Sequence, residues 1–208
     1  MNDFKNLTEV GNINNLFENL STRTLIIYSP TSLKKTDFIN KKNILCLSTS
    51  EITKQTNKID KIIKNVKSKI DNIVALGGGT AIDIGKYISS KTKVTITAVP
   101  SMLSTNVYAT DKVALLINNQ KRTLLAKVPD KIFLDYNFLK KSNIFNLYGL
   151  ADIFSIYTAL YDWEIANHSG RENIELNIYE QAKNLLKETI NFIKDNSYND
   201  IINNIKKI

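Results

Sequence analysis

The stretch Ile73-Val74-Ala75-Leu76-Gly77-Gly78-Gly79-Thr80-Ala81-Ile82-Asp83-Ile84-Gly85-Lys86 constrains the fold more than any other part of the sequence. Its apolar run reads as a buried strand, its glycines as a turn and its remainder as the start of a helix. Three adjacent glycines remove every Cβ from the turn, so backbone N–H groups can approach a bound anion closely. The helix that follows points the positive end of its dipole at the same place. These features describe a cradle for phosphate or pyrophosphate. They equally describe a tight strand-to-helix connection in which Thr80 is the N-cap and Asp83 its capping-box partner. The spacing matches neither a P-loop nor G-x-G-x-x-G.

The segments around this stretch repeat its logic. Ile13, Leu16, Phe17 and Leu20 give Val10 to Leu20 helical spacing. Thr24 to Tyr28 is a β-branched strand closed by a turn at Ser29-Pro30, and Asn43 to Leu47 reads as a second strand. Glu51 to Ile70 is an amphipathic helix, Asn72 to Leu76 the third strand, Ala81 to Ser90 a helix, and Val94 to Val99 a fourth strand stopped by Pro100. Strands alternating with helices predict an α/β fold with a Rossmann-like parallel sheet. In such sheets ligands sit beyond the carboxyl ends of the strands, so residues 77–80 and 100–106 are expected to face one crevice.

The pattern then changes. Val113 to Ile117 and Thr123 to Lys127, joined by Asn118-Asn119-Gln120-Lys121, predict a β-hairpin, and Ile132 to Leu134 one more strand ended by Asp135. From Tyr148 onward the chain reads as helix. Leu150, Ile153, Phe154, Tyr157, Leu160 and Trp163 form one apolar face, and Leu176, Tyr179, Ala182, Leu185, Leu186 and Ile193 another. The expected division is an α/β nucleotide-binding domain over residues 1–145 and the start of an all-helical domain over 146–208.

Composition narrows the function. The net charge of +8 comes from 28 basic and 20 acidic residues, a balance that invites a nucleic-acid reading. The lysines between Lys54 and Lys69, however, alternate with Ile59, Ile62, Ile63, Val66 and Ile70, which describes the wet and dry faces of one helix. No nucleic acid is therefore expected as a partner; a mildly basic surface suits an anionic cofactor or a phosphorylated substrate. The single cysteine, Cys46, lies in an apolar run and reads as a core residue. No run reaches membrane-spanning length and the N-terminus lacks a signal sequence, so a cytoplasmic protein is expected.

Asp152 resists a packing explanation, because its neighbours in Gly149-Leu150-Ala151-Asp152-Ile153-Phe154 are nearly all apolar. A carboxylate buried there needs a partner or a cation, whereas an exposed first-turn acid needs only the helix dipole.

Four motifs in order now carry a resemblance: Gly-Gly-Gly-Thr-x-x-Asp-x-x-Lys at 77–86, Val-Pro-Ser-Met-Leu-Ser-Thr-Asn at 99–106, Ala-Lys-Val-Pro-Asp-Lys-Ile at 126–132, and Gly-Leu-Ala-Asp at 149–152 followed by Tyr-Thr-Ala-Leu-Tyr-Asp-Trp at 157–163. From about Val10 to Ala166 the sequence resembles the iron-containing alcohol dehydrogenase, glycerol dehydrogenase and dehydroquinate synthase superfamily, and within it looks most like the sn-glycerol-1-phosphate dehydrogenases. The resemblance implies a dehydroquinate synthase-like fold and an NAD(P)- and metal-dependent oxidoreductase of a small polyol phosphate or alcohol. It implies that Gly77, Gly78, Gly79 and Thr80 hold the pyrophosphate of NAD or NADP, with Asp83 and Lys86 on the cofactor side of the cleft. Ser101, Ser104 and Thr105 match a loop that touches cofactor and substrate. Asn106, Asp111 and Lys127 match the catalytic part of the cleft, and Asp152 a carboxylate ligand of a divalent metal such as zinc, iron or nickel. Such a metal acts as a Lewis acid. A homo-oligomer is in keeping with the family.

Three departures qualify this reading. The family completes its metal site with two histidines, whereas this sequence has only His168, beside a helix end expected at Ser169-Gly170. One carboxylate does not make a catalytic metal site of the three-ligand type, and the apolar Ile201, Ile202, Ile205 and Ile208 ask for a partner. The expectation is a chain truncated in its helical domain. Asn106 stands where relatives carry a substrate-gripping Asp; it keeps the acceptor oxygen without the charge, and Asp111 is placed to compensate. Tyr28-Ser29 brings no acid to the ribose 2′-hydroxyl, leaving NADP as open as NAD. Two alternatives remain: a nucleotide-binding fragment without catalysis, which the missing histidines favour, and a dehydroquinate-synthase-like cyclase, which Asp152 in place of Glu disfavours.

Overall fold

The computed structural model describes residues 4–38 and 44–195. The chain divides into two compact units, Met1–Ser142 and Asn143–Ile208. The first contains α1 (Phe4–Leu7), β1 (Thr8–Val10), α2 (Ile13–Glu18), β2 (Thr24–Tyr28), α3 (Pro30–Leu33), β3 (Leu45–Ser48), α4 (Thr56–Val66), β4 (Asn72–Gly77), α5 (Gly79–Thr92), β5 (Thr95–Pro100), β6 (Lys112–Ile117), β7 (Gln120–Leu125), β8 (Lys131–Leu134) and α6 (Tyr136–Lys140). The second contains α7 (Asn143–His168) and α8 (Leu176–Asp195).

Six parallel strands form one sheet in the order β1-β8-β5-β4-β2-β3, which meets the α/β expectation. Residues alternate between its faces with the strand period. Leu25, Ile27, Ile73, Ala75, Ile96 and Ala98 pack on one side with α4 and α5. Ile26, Val74, Leu76 and Val99 pack on the other with Ile13 and Phe17 of α2 and Phe138 of α6. Because both faces are covered, the central strands are near-continuous apolar runs. Gly85 lets α5 lie directly on the sheet: a Cβ there would stand 2.8 Å from Ala75 Cβ and 3.0 Å from Ile96 Cδ1.

Several boundaries moved for local reasons. Residues Thr8–Val10 are an edge strand paired with β8, and the first amphipathic helix starts only at Ile13, where the Asn12 side chain accepts from Asn14 N. Ser29 and Pro30 do more than turn the chain: Ser29 caps α3 by accepting from Ser32 N, and Pro30 fills its first position. The helix expected from Glu51 begins at Thr56, since Lys54 O accepts from Leu116 N at 2.8 Å and Gln55 bridges to Leu116. Pro100, expected to stop its strand, is instead the last residue of β5, opposite Gly77. The hairpin turn is only Asn118-Asn119, both at positive φ (50° and 63°), as a two-residue type I′ loop requires. Helix α6 was not foreseen, and Asn43 of the expected second strand lies outside the described residues.

In the second unit α7 packs against α8, and Leu160 of α7 and Leu186 of α8 are buried. The Trp163 and Tyr179 ring centroids are 6.5 Å apart, and the Tyr179 hydroxyl donates to Glu164. The single apolar face foreseen for α7 is split: Leu160 is buried, while Phe154, Tyr157, Tyr161 and Ile165 are exposed along the helix. The apolar residues from Ile201 to Ile208 lie outside the described residues. No helix among the described residues is long and apolar enough to cross a membrane.

Asp135 ties the sheet to both helices of its second face. It is buried, its Oδ1 accepts from Phe138 N at 3.0 Å and its Oδ2 from Ile13 N at 2.9 Å. One carboxylate thus serves the first turns of α6 and α2, two segments far apart in sequence. Asp135→Ala removes both charge-assisted bonds and is expected to lower the unfolding free energy by about 2–4 kcal/mol in urea titration; Asp135→Asn, which keeps Oδ1, is expected to lose less.

Candidate functional site

The strand order fixes where the chain leaves an opening. From β2 it crosses to β3 on one side, and from β3 it returns to β4 on the other side of β2. The connections after β2 and β4 therefore diverge, and in parallel sheets such a divergence is where a ligand crevice is expected, at the carboxyl ends of the pair. Ser29 follows β2, Gly77 ends β4, and Ser101 follows β5. Their backbones are joined, Ser29 N to Leu76 O and Ser101 N to Gly77 O, each at 3.0 Å.

The glycine turn sits in the middle of this edge. Gly77 has φ +150°, a conformation L side chains rarely adopt, and a Cβ on it would stand 3.1 Å from Ala81 Cβ. Gly78, in extended backbone, is the N-cap of α5 and supplies no side-chain cap. Thr80 lies exposed in the first turn and Asp83 turns to Lys54, so the capping box that the sequence left open is not formed. The first-turn N–H groups of α5, a 14-residue helix, meet no side-chain cap. A Cβ on Gly78 would lie 3.8 Å from Met102 Sδ and Cε, and one on Gly79 4.0 Å from Val107 Cγ1, so the loop after β5 flanks the turn.

That loop carries the other expected residues. Ser101 is 2% exposed, and its hydroxyl has no hydrogen-bond partner among the described residues. Ser104 is half-buried, Thr105 and Asn106 are exposed, and Asn106 O accepts from Ala109 N at 2.8 Å in a short 3-10 turn, Val107–Ala109. Asp111 is half-buried, and its carbonyl accepts from Ala126 N at 2.7 Å. Beneath the loop, Lys86 is fully buried and donates from Nζ to Val107 O and Lys112 O, both at 2.8 Å. Burial pushes its amine down to about 8, against the opposing pull of Asp83 and Asp111. Asp83, 3% exposed, pairs with Lys54 Nζ at 2.6 Å. Lys54, Met102 and Val107 were given no site role in the sequence. Lys54 looked like one more solvated lysine, and only its long-range pairing with Asp83 distinguishes it.

Lys127 stands apart from this edge. Its Nζ binds Asp130 at 2.8 and 2.7 Å, and Asp130 in turn accepts from Ile96 N near the amino end of β5. From there to Pro100 is about 13 Å at roughly 3.3 Å per residue. The amino end also holds a cleft of about 530 Å³ beside α2, lined by Asn15, Asn19, Asn72, Thr97 and Lys131 among others. Its size does not make it the site, because the glycine turn, the helix N-terminus and the buried Ser101 hydroxyl all lie at the other end of the strands.

In the second unit Asp152 is exposed on α7, and its carbonyl accepts from Ser155 Oγ. His168 is exposed at the end of α7, with Nδ1 2.7 Å from Glu164 O. Among the described residues no three His, Cys, Asp or Glu side chains converge to hold a metal ion. These residues therefore do not fit a metal centre on their own.

Comparisons with known proteins agree with this architecture. The pattern of the iron-containing alcohol dehydrogenase family matches residues 21–142. The chain is 31% identical to a glycerol-1-phosphate dehydrogenase (NAD(P)+) of Methanococcus aeolicus over 147 residues, covering 70% of this chain and 42% of the relative. It is 29% identical to the protein of the same name from Methanococcus maripaludis strain C6 over 181 residues, 86% of this chain and 49% of the relative. Among solved structures it resembles a probable glycerol dehydrogenase from Sinorhizobium meliloti (TM-score 0.59, 18% identity, covering 73% of this chain and 45% of that one). It also resembles a maleylacetate reductase from Rhizobium sp. (TM-score 0.57, 18% identity, 74% and 48%). Both likenesses show the fold. The chain spans less than half the length of these curated relatives.

The unpartnered Ser101 hydroxyl yields a prediction. A buried hydroxyl without a partner costs about 1–3 kcal/mol, so Ser101→Ala is expected to leave stability unchanged or to raise it in urea unfolding. A loss above about 1 kcal/mol would reveal a protein partner for that oxygen.

Proposed function

This chain belongs to the iron-containing alcohol dehydrogenase family, and on that premise we propose that its first unit binds NAD or NADP at the carboxyl edge of β4. We propose further that the chain serves the oxidoreduction of a small polyol phosphate or alcohol, as in the glycerol-1-phosphate dehydrogenases it resembles. The observation that carries this reading is the bare glycine turn at the point where the strand order reverses. An uncapped helix N-terminus and the buried, unpartnered Ser101 hydroxyl face the same edge. Gly77, Gly78, Gly79 and Thr80 would hold the pyrophosphate through backbone N–H groups, and Ser101 would give its hydroxyl to the bound molecule. Ser104 and Thr105 flank the nicotinamide end of the loop in this reading. Asn106 and Asp111 offer acceptor oxygens to substrate hydroxyls.

The bound nicotinamide supplies the hydride chemistry; the residues of this chain bind it, orient it and shield it from water. Asp83 and Lys86 act from beneath, as supports of the turn and of the loop. No role is proposed for Lys127 in this crevice. Serine in place of an acid after β2 leaves a 2′-phosphate unrepelled, so NADP is accepted alongside NAD. Asp152 is proposed as a ligand of a divalent metal (zinc, iron or nickel) only together with groups outside the described residues, and no step is assigned to that metal. A nucleotide-binding module without turnover is the second reading, favoured by the lack of converging metal ligands among the described residues.

Gly78 provides the test. Its backbone, at φ −80° and ψ −165°, suits a β-branched residue, so Gly78→Val adds a side chain without adding strain. The wild-type chain is expected to bind NADPH in calorimetry, and a Gly78→Val chain with an unchanged circular dichroism spectrum is expected to lose that binding. Equal affinity in the two would refute the cradle. Given divalent metal and sn-glycerol 1-phosphate, this chain alone is expected to show little NAD(P)-linked turnover, because no metal-ligating cluster forms among its described residues; brisk turnover would refute that expectation.

A further inference from the structure

The loop of residues 101–112 carries most of the proposed site, yet it has little secondary structure of its own beyond the 3-10 turn Val107–Ala109. Backbone bonds hold its two ends, Ser101 N to Gly77 O and Ala126 N to Asp111 O, and one side chain from α5 reaches its middle. Lys86 is 0% exposed, and its Nζ reaches Val107 O and Lys112 O, bonds that span 21 and 26 residues of sequence. One acceptor lies in the 3-10 turn and the other opens β6, so the amine pins the loop at its middle and at its far end. Val107 is also the residue whose Cγ1 flanks Gly79. A shift of Val107 therefore changes the width of the opening beside the glycine turn.

We infer that Lys86 is a positioning residue, which clamps the loop of residues 101–112 through the Val107 and Lys112 carbonyls and thereby sets its approach to the glycine turn. The link from clamp to cofactor rests on the function proposed above; the clamp itself does not.

The charged groups acting on the amine are Asp83 from α5 and Asp111 from the loop, and Lys54 pairs with Asp83. The neutral amine keeps two N–H donors, enough for two carbonyls, so the clamp survives loss of the proton. The sign of the pH dependence follows. With the loop closed, burial holds Lys86 near 8; with the loop open and the amine in water, it returns toward 10.5. The open state then binds more protons between these values, and closure strengthens as pH rises through that window. From pH 7 to pH 9 the loop amides are expected to gain about tenfold in protection once intrinsic exchange rates are divided out.

Hydrogen exchange read by mass spectrometry tests this on the full chain. In Lys86→Met, which leaves both carbonyls without the amine, residues 103–112 are expected to lose at least tenfold in protection and the pH dependence, while β4 keeps its protection. Unchanged protection of the loop in a folded Lys86→Met chain would overturn the clamp. If that variant does not fold, Lys86→Gln, a shorter donor, takes its place: lost protection of residues 103–112 supports the clamp, and unchanged protection overturns it. NADPH calorimetry separates the two claims. Affinity about tenfold weaker in Lys86→Met supports the positioning role, and full affinity with a loosened loop overturns it. A wild-type chain that binds no NADPH removes the proposed function, while the exchange result still stands or falls alone.

Discussion

The first unit depends on how closely α5 lies on β4. With no side chain at Gly85, the helix backbone descends until only Ala75 and Ile96 separate it from the strand, closer than any Cβ would allow. That approach forces the connection between them to be tight, and Gly77 meets the demand by adopting φ +150°. A tight connection leaves the first turn of α5 aimed along the sheet edge with its N–H groups uncapped. The same closeness puts Lys86, one residue on, out of reach of water, where its amine has only backbone carbonyls and two carboxylates for company. The proposed cradle and the inferred clamp thus share one packing arrangement.

Polarity of the sheet sorts the remaining features. At the carboxyl edge the backbone of Ser29, Gly77 and Ser101 is stitched together, and small side chains leave room for a ligand. At the amino edge, charges neutralise one another locally: Lys127 with Asp130, Lys131 with Glu9, Arg23 with Asp71. The cleft beside α2 lies at that second edge, but it lacks an uncapped helix end and an orphaned hydroxyl, the features that favour an anion.

The sheet was legible because both its faces are covered, so β2, β4 and β5 appear as short apolar runs between polar breaks, and all six of their boundaries lie within a residue of expectation. The glycine turn was legible because Gly-Gly-Gly has few other uses. Elements set by long-range contacts were hidden. Residues Thr8–Val10 are a strand only because β8 is beside them, and α4 starts late only because Lys54 and Gln55 are held by Leu116. Lys86 was visible as a motif residue, but its role as a clamp needed the fold of a loop that sequence periodicity does not describe. The split of α7 into a packed and an exposed apolar stripe likewise depends on which side α8 takes.

The ligand is proposed to be gripped at the carboxyl edge of β4 rather than in the cleft beside α2. Backbone amide shifts of the isotopically labelled chain during NADPH titration test it most directly. The account predicts the largest shifts at Gly78, Gly79, Thr80, Ser101 and Ser29, with Asn15, Asn19, Asn72 and Lys131 unmoved. Shifts gathered around those four residues of the amino edge, or none at the glycine turn, would contradict it.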